Sequence, residues 1–346
     1  MSAGARPSAV LGYTLVATLG GFLFGYDTAV ISGAVVSIDR YFIAPLALGA
    51  TARDVLSGLT IASALFGCII GGAVAGRVAD SAGRRGGLLL AALLFLLSGI
   101  GSAVPELGFG PIGSMGADAL PHFIVYRVIG GIGIGLVSML APLYIAEIAP
   151  PAIRGRLVSY NQMAIVSGIV GVYFVNWAIA LQGDEAWVDS VGWRWMLGSE
   201  VVPALLLALL LLKVPETPRY LAMKGRGPEA LAVLRRLLDP AQAETVLGEI
   251  EASGAQHRAP LWSFGIAVVL IGLAVSVMQQ LVGINAVLYY APLIFRNMGM
   301  GSEAALLQTV AVGVVNAVFT LLAIRTVDRF GRRPLLIGGA LVMAAS

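Results

Sequence analysis

The chain has 346 residues, of which 58% are apolar and only 12% are charged, about half the charged share of a soluble domain. Its mean hydropathy is +0.89 and its net charge is +3, with the basic residues scattered along the chain. A soluble protein with so few charged residues could not cover its surface. The composition therefore excludes a cytosolic enzyme, a nucleic-acid binder and a disordered protein, and it predicts an all-α membrane protein.

The chain offers little for metal, disulfide or nucleotide chemistry. Cys68 is the single cysteine, and the two histidines, His122 and His257, are far apart in sequence. These residues exclude a disulfide framework and disfavour a metal site. No Walker motif is present, and the glycine-rich stretch 130–135 has the spacing of close helix packing instead. We expect neither a metal nor a cofactor.

Eight apolar runs are long enough to cross a bilayer core of about 30 Å as helices. A ninth begins at Leu335 and stops at Ser346, too short to span, which predicts that the sequence is part of a longer chain. We number the eight runs helices 1 to 8: 11–35, 55–75, 88–104, 123–141, 157–180, 195–212, 265–287 and 306–324.

Lysine and arginine are divided unequally between the two sides of these helices. Of the 22 such residues, four lie in the loops on one side, at Arg40, Arg53, Arg194 and Arg296, and Arg127 lies within a helix. The others lie at the N-terminus or in the loops after helices 2, 4, 6 and 8. The positive-inside rule therefore predicts a cytoplasmic N-terminus.

The longest hydrophilic stretch lies between helices 6 and 7 and has helical periodicity with mixed charge. It predicts short amphipathic helices on the cytoplasmic surface. It also divides the chain into an N-terminal six-helix bundle at 1–214, a cytoplasmic linker at 215–262 and an incomplete C-terminal bundle at 263–346.

The loops after helices 2 and 8 repeat one pattern, an acid followed by a glycine and two arginines. This places helices 2 and 8 at the same position of two six-helix halves, and the glycine indicates a tight turn. The repeated residues are Asp80, Gly83, Arg84 and Arg85, which recur as Asp328, Gly331, Arg332 and Arg333.

Further charges lie in the loops on the same side, at Glu147, Arg154, Glu216 and Arg219. We interpret them, together with the repeated loops, as ionic latches that form in one conformation and part in another. The alternative is that they only determine the topology of the chain.

Three ionisable residues lie inside the apolar helices, where a central charge costs about 2.5–3.5 kcal/mol. Counted along helices that rise about 1.5 Å per residue, Asp27 and Arg127 are predicted at a similar depth, with Glu200 near the same level. They form either a structural ion pair or a proton site. In the second case, a pairing that changes with conformation would make Asp27 bind and release a proton.

Uncharged amides are concentrated in helix 7, where Gln279, Gln280 and Asn285 precede Tyr289. Gln162 in helix 5 and Asn316 in helix 8 could join them. Because amides both donate and accept hydrogen bonds, they suit neutral polyhydroxyl ligands better than ions. The alternative is that they only hydrogen-bond between helices.

Five segments resemble the sugar porter family of the major facilitator superfamily, most closely its bacterial D-xylose/proton symporters. The resemblance implies a major facilitator fold with two six-helix bundles, a bacterial inner-membrane location, alternating access and a monomer without enzymatic activity. The segments are GGFLFGYDTAVISGA (20–34), YRVIGGIGIGLVSMLAPLYIAEIAP with the following RGRLVS (126–159), PETPR (215–219), QQLVGINAVLYYAP (279–292) and VDRFGRRP (327–334).

By this resemblance, Asp27 is the proton carrier, Arg127 its partner and Glu200 an accessory acid. Phe24 is implied to pack on the sugar ring and Tyr289 to help close the outer gate. The resemblance also implies that sugar hydroxyls bind Gln162, Gln279, Gln280, Asn285 and Asn316, and that Glu147, Arg154 and the two repeated loops form the inner latch.

The resemblance leaves the sugar open between a pentose and a hexose. Ile169 is the residue that glucose-type members of the family have at this position, whereas Leu288 is typical of xylose-type members. Helices 10 to 12 and their sugar contacts are absent, so a chain that ends at Ser346 is expected not to transport.

The resulting hypothesis is a transporter that moves a monosaccharide together with protons across the bilayer and binds no nucleic acid. A passive facilitator of the same fold and a non-transporting sugar sensor remain as alternatives.

Overall fold

The computed structural model describes residues 7–254 and 265–345, and these residues form an almost entirely helical protein. Within them, eight helices are long and apolar enough to cross a membrane, as predicted. Their bounds are Ser8–Gly33, Ala50–Ser81, Gly83–Ala103, Gly116–Ile148, Pro151–Ala180, Glu185–Leu211, Ile266–Asn297 and Ser302–Val327, which we call helices 1 to 8. We call the end with the turns near 82, 149 and 214 the inner end and the opposite end the outer end.

Most helices extend beyond their apolar runs. Helix 2 was predicted over 55–75 but spans Ala50–Ser81, and helix 4 was predicted over 123–141 but spans Gly116–Ile148. The added turns contain charged or small residues, such as Arg53 and Arg77, which lower hydropathy without breaking a helix. Helix ends therefore continue past the apolar segment that the sequence marks.

Helix 7 differs most from its prediction. It extends to Asn297 instead of ending at 287, and it consists of two pieces, Ile266–Leu281 and Ile284–Asn297. The interruption lies at Val282 and Gly283, between the glutamines and Asn285. A single continuous helix was the wrong expectation here, because a two-residue break leaves the apolar run uninterrupted in sequence.

The hydrophilic stretch contains three short helices, Pro218–Met223, Gly227–Leu237 and Pro240–Gly254. The second buries Ala230, Val233, Leu234 and Leu237, and the first, second and fourth of these belong to the core at the inner end. These positions recur every three or four residues, which is the period of one helix face. The predicted amphipathic helices are confirmed, while the three-part domain division remains a prediction.

Both repeated loops turn at a glycine with a left-handed backbone. Gly83 has φ +83° and Gly331 has φ +81°, and each separates two helices. Other residues rarely adopt this conformation. A Cβ atom on Gly83 would also lie only 2.2 Å from Glu216 Oε2. The predicted tight turn is confirmed at both positions.

Two large buried clusters fill the bundle. One lies toward the inner end and comprises residues of the first six helices and the linker. The other lies toward the outer end, where Phe42, Phe123 and Trp193 pack in the same cluster as Leu288 and Tyr289 of helix 7. The apolar contact between the two halves of the chain is therefore made toward the outer end.

Candidate functional site

The three ionisable residues predicted inside the membrane lie together. Asp27, Arg127 and Glu200 come from helices 1, 4 and 6, and each is at most 1% exposed. Arg127 Nη1 donates to Asp27 Oδ1 at 2.5 Å, and Arg127 Nη2 donates to the Asp27 carbonyl oxygen at 3.3 Å. The predicted pairing of Asp27 with Arg127 is therefore present, while the depth of the three residues in a bilayer remains a prediction.

Two helix irregularities place the acids. Asp27 lies in the last turn before helix 1 tightens into a 3₁₀ turn at Ile31–Gly33, where the buried Asn176 side chain donates to the Val30 carbonyl oxygen at 3.1 Å. Glu200 lies at the interruption of helix 6 between Trp193–Gly198 and Val201–Leu211. Such breaks commonly mark functional positions in membrane helices.

The Glu200 carboxyl group lies within electrostatic range of both Asp27 and Arg127. Neither Asp27 Oδ2 nor Glu200 Oε1 accepts a hydrogen bond from any described residue. Two ionised carboxylates beside one guanidinium would carry a net negative charge, which is costly in a buried site. One guanidinium and two buried carboxyl groups therefore form a site that suits one bound proton.

Helix 7 reaches this site from the second half of the chain. The Tyr289 side chain is buried and lies within electrostatic range of Arg127 and Asp27. The Cys68 thiol of helix 2 also lies within range of Asp27. Tyr289 was expected to help close the outer gate, and its position in the outer core agrees with a contact between the halves.

The predicted sugar-binding amides lie on helices 5, 7 and 8. Asn285 Nδ2 donates to Gln280 Oε1 at 3.0 Å across the break of helix 7, and Asn316 Oδ1 accepts from Thr320 Oγ1 at 3.3 Å. The side chains of Gln162, Gln279 and Gln280 are exposed, and those of Asn285 and Asn316 are half-buried. Apart from the Gln280–Asn285 pair, the described part of the chain shows no hydrogen bond among these amides.

The apolar residues assigned to the sugar site occupy different positions. Phe24 is half-buried beside the inner core, whereas Ile169, Leu288 and Tyr289 are buried in the outer core. Ile169 and Leu288 therefore lie in one cluster, although they are more than a hundred residues apart in sequence. This proximity was not evident from the sequence.

At the inner end, Arg84 is the centre of a buried network. It donates to Glu147 Oε1 at 2.8 Å and to the Ala79 carbonyl oxygen at 3.0 Å. The Glu147 carboxylate also accepts from Thr217 Oγ1 at 2.6 Å. The side chains of Arg84 and Glu147 are at most 7% exposed, so the pair is shielded from water.

Glu216 closes the same network from the start of the linker. It accepts hydrogen bonds from the backbone amides of Arg84, Arg85 and Thr217, at 2.8 to 3.1 Å. The Arg85 side chain instead donates to the carbonyl oxygens of Leu211 and Leu212 at the end of helix 6. These contacts join parts of the first half and the linker.

The remaining residues of the predicted latch surround this network or lie outside it. Asp80, Arg154 and Arg219 line a cavity of about 1060 Å³ at the inner end, and Arg333 is exposed. The side chains of Asp328 and Arg332 lie outside the described residues. Pairing of this network with the second repeated loop therefore remains a prediction.

The structure adds an ionic contact at the outer end that the sequence did not suggest. Glu185, at the start of helix 6, forms an ion pair with Arg296 at the end of helix 7 and accepts from Ser302 Oγ at 2.6 Å. Nearby, Tyr173 Oη of helix 5 donates to the Leu288 carbonyl oxygen at 2.9 Å. Both contacts join the two halves at the end opposite to the predicted latch.

A second unexpected cluster anchors the outer loop between helices 3 and 4. Glu106 is fully buried and accepts two hydrogen bonds from Arg194, at 2.8 and 2.9 Å, and one from Tyr41 Oη at 3.0 Å. Burial raises the pKa of Glu106, but the hydrogen bonds and charge of Arg194 lower it by more than burial raises it. The pKa therefore lies below its ordinary value. Arg194 was visible in sequence only as an outer-loop charge.

Comparison with known proteins identifies the family. The family model described as sugar (and other) transporter matches residues 13–346. The chain is 51% identical to the D-xylose-proton symporter of Escherichia coli K12, over 97% of this chain and 70% of that protein. It is 47% identical to the glucose facilitated diffusion protein of Zymomonas mobilis, over 100% of this chain and 73% of that protein.

Solved structures agree with this result. The xylose transporter XylE from E. coli, in a partially occluded inward-open conformation, superimposes with a TM-score of 0.89 at 50% identity, covering 96% of this chain and 76% of that one. The XylE complex with 6-bromo-6-deoxy-D-glucose gives a TM-score of 0.88 at 50% identity, covering 95% and 71%. This chain is therefore a multi-pass membrane protein of the sugar transporter family, with the fold of the major facilitator superfamily.

Proposed function

We propose that this chain is a secondary transporter that couples the movement of a monosaccharide to that of a proton by alternating access. The observation that carries the proposal is the buried site of Asp27, Arg127 and Glu200, where two acids share one guanidinium. A structural ion pair needs only one acid. The second acid allows the site to bind and release a proton reversibly.

The chemistry of the site follows from its charges. With Asp27 ionised and paired with Arg127, the proton resides on Glu200, and the site is neutral. When Asp27 takes up a proton from the outer side, its bond to Arg127 weakens, and Glu200 releases its own proton toward the inner side and becomes the counter-ion for the guanidinium. Because an unpaired charge is costly in this environment, the protonation state decides which acid holds Arg127.

Helix 7 provides a path from this site to the amides. Asn285 and Tyr289 are four residues apart on the piece Ile284–Asn297, so their side chains lie on one face. Tyr289 lies within electrostatic range of Asp27 and Arg127, and Asn285 is hydrogen-bonded to Gln280. Sugar bound to the amides and a proton bound to Asp27 would therefore act on the same short helix.

The amides Gln162, Gln279, Gln280, Asn285 and Asn316 suit the hydroxyl groups of a sugar, with Phe24 beside the ring. The substrate class is a monosaccharide, xylose or glucose-like, in agreement with relatives named for xylose and glucose. Ile169 and Leu288 share one buried cluster and are the residues we assign to the choice between them.

The remaining features follow the same proposal. The N-terminus faces the cytoplasm of a bacterial inner membrane, the protein acts as a monomer in the bilayer, and the proton is the coupling ion with no cofactor. The N-terminal bundle, the linker and the second bundle are the moving units. Charged residues at the inner end, including Arg84, Glu147 and Arg154, latch the two bundles when the inner end closes.

The direct test is proton flux on addition of sugar. The reconstituted protein is given xylose, glucose or a non-transported control sugar in weakly buffered proteoliposomes that contain a pH-sensitive dye. Symport predicts that the transported sugar acidifies the vesicle interior as it enters. Labelled sugar uptake without any pH change would contradict the proposal.

A passive facilitator is the second candidate, because a facilitated diffusion protein is among the similar relatives. The two functions differ in whether an imposed pH gradient drives accumulation. A symporter concentrates labelled sugar above the external level when the outside is acidic. A facilitator only equalises the two concentrations.

A further inference from the structure

Ser98 of helix 3 is a buried polar residue that the mechanism described above does not use. Its side chain is 0% exposed, and its hydroxyl oxygen has no hydrogen-bond partner among the described residues. Serines in helices usually donate to a carbonyl one turn earlier, as Ser63 does to Thr60 in helix 2. An unpartnered buried hydroxyl is unfavourable unless something polar beside it can be bound.

The nearby polar atom is the free oxygen of Asp27. A Cβ atom on Gly130 of helix 4 would lie 2.3 Å from Ser98 Oγ and 3.4 Å from Asp27 Oδ2. The two oxygens thus lie near one point beside Gly130, close enough together for one water molecule to bridge them. Both are buried, and both lack a partner. Gly130, being a glycine, places no side chain beside them.

We propose that Ser98 is a positioning residue of the proton site, whose hydroxyl donates through one water molecule to Asp27 Oδ2. This inference rests on the proposed symport. Arg127 occupies Oδ1, so the proton must be taken up at Oδ2. The hydrogen bond from Ser98 stabilises the ionised carboxylate and orients the oxygen that receives the proton.

Several other polar groups face Asp27. Arg127 faces it from helix 4, Glu200 from helix 6, the Tyr289 hydroxyl from helix 7 and the Cys68 thiol from helix 2. Tyr26 precedes it in helix 1, and its hydroxyl is bound to Ser199 Oγ at 2.8 Å. Ser98 differs from these groups because its hydroxyl is not ionisable, so its removal changes hydrogen bonding without removing a titratable group from the site.

The test is the pH dependence of uphill uptake by the Ser98→Ala variant in proteoliposomes. Loss of a donor to the ionised acid favours the protonated form, so the pH at which uptake is half-maximal should rise by about one unit. Sugar counterflow needs no net proton movement and should remain at the wild-type rate, which also shows that the variant is folded. Ser98→Thr retains a hydroxyl and should restore the wild-type profile.

A matched control separates this effect from a general loss of packing. Ser63→Ala removes an equally buried serine whose hydroxyl bonds within its own helix, and it should leave the profile unchanged. A profile of Ser98→Ala that coincides with that of the wild type would overturn the inference, whereas a wild type without proton-driven uptake would overturn the proposed function instead.

Discussion

The two oxygens of Asp27 have different surroundings. Oδ1 is held by the Arg127 guanidinium at 2.5 Å, whereas Oδ2 faces the gap beside Gly130 and lacks a donor among the described residues. This difference suits a residue that must keep a counter-ion and still accept a proton. It also makes the gap beside Gly130 a sensitive place in the protein.

Gly130→Ala fills that gap with a methyl group. The new Cβ would lie 2.3 Å from Ser98 Oγ, so helices 3 and 4 must shift, with an expected cost of about 1–3 kcal/mol in stability. We expect a lower thermal unfolding temperature and loss of proton-driven accumulation. Gly72→Ala in helix 2 is the matched control, since nothing lies within 4 Å of its Cβ position, and it should retain both properties.

Some of this site could be predicted from the sequence, and some could not. Asp27, Arg127 and Glu200 stand out because charges are rare in apolar helices, and residue counting gives their depth. Ser98 and Gly130 carry no such signal, because serine and glycine are common in membrane helices. Their role depends on the rotation of helix 3 against helix 4, which only the tertiary structure fixes.

At the scale of elements, the broken helix 7 gives the second half a short movable piece. The piece Ile284–Asn297 contains both Asn285, one of the proposed sugar-binding amides, and Tyr289, which lies near the proton site. The sequence located the amides, yet the break at Val282 and Gly283 was missed because both residues are compatible with an apolar span. Hydropathy reports where a segment lies in the membrane but says little about whether its backbone is continuous.

The outer loop between helices 3 and 4 is held by the buried Glu106–Arg194 pair. The pKa of Glu106 is lower in the folded state than the unfolded value of about 4.3. The pair therefore stabilises the protein above that pH, and this contribution is lost as the pH falls through the lower folded pKa. Thermal unfolding measured from pH 7 to pH 3 should show this loss at the acidic end.

The Glu106→Gln variant tests whether Glu106 is responsible for this loss of stability at acidic pH. The variant leaves Arg194 buried without its counter-ion, with an expected cost of about 3 kcal/mol at neutral pH. Its stability should then change less than that of the wild type as the pH falls through this range. Parallel curves for the two proteins would mean that Glu106 is not the group responsible.

At the scale of the whole molecule, the two halves are joined at the outer end. The described contacts between halves include the Glu185–Arg296 ion pair and the Tyr173–Leu288 hydrogen bond. The repeated loop motifs predict a latch at the inner end, where the described hydrogen bonds join the first half to the linker. Which end holds the halves together depends on conformation, and a sequence specifies all conformations of the cycle at once.

Glu185→Gln should favour opening of the outer end. An exposed ion pair contributes up to about 1 kcal/mol, so the open population should increase by about two- to fivefold. Spin labels on cysteines introduced at Leu48 and Met298, both exposed, report the separation of the halves by double electron–electron resonance. The free Cys68 is replaced first so that it is not labelled. Glu229→Gln is the control, because its partner Arg226 lies in the same linker. An unchanged distance distribution in Glu185→Gln would contradict a latch at this end.

The exchange of Arg127 between two acids is tested most directly by Asp27→Asn. The variant retains Glu200 as a counter-ion for Arg127, so the protein should stay folded and continue to bind sugar. We predict that sugar counterflow persists in proteoliposomes, while accumulation driven by an acidic exterior is abolished. Accumulation at the wild-type level in this variant would show that Asp27 is not the proton carrier.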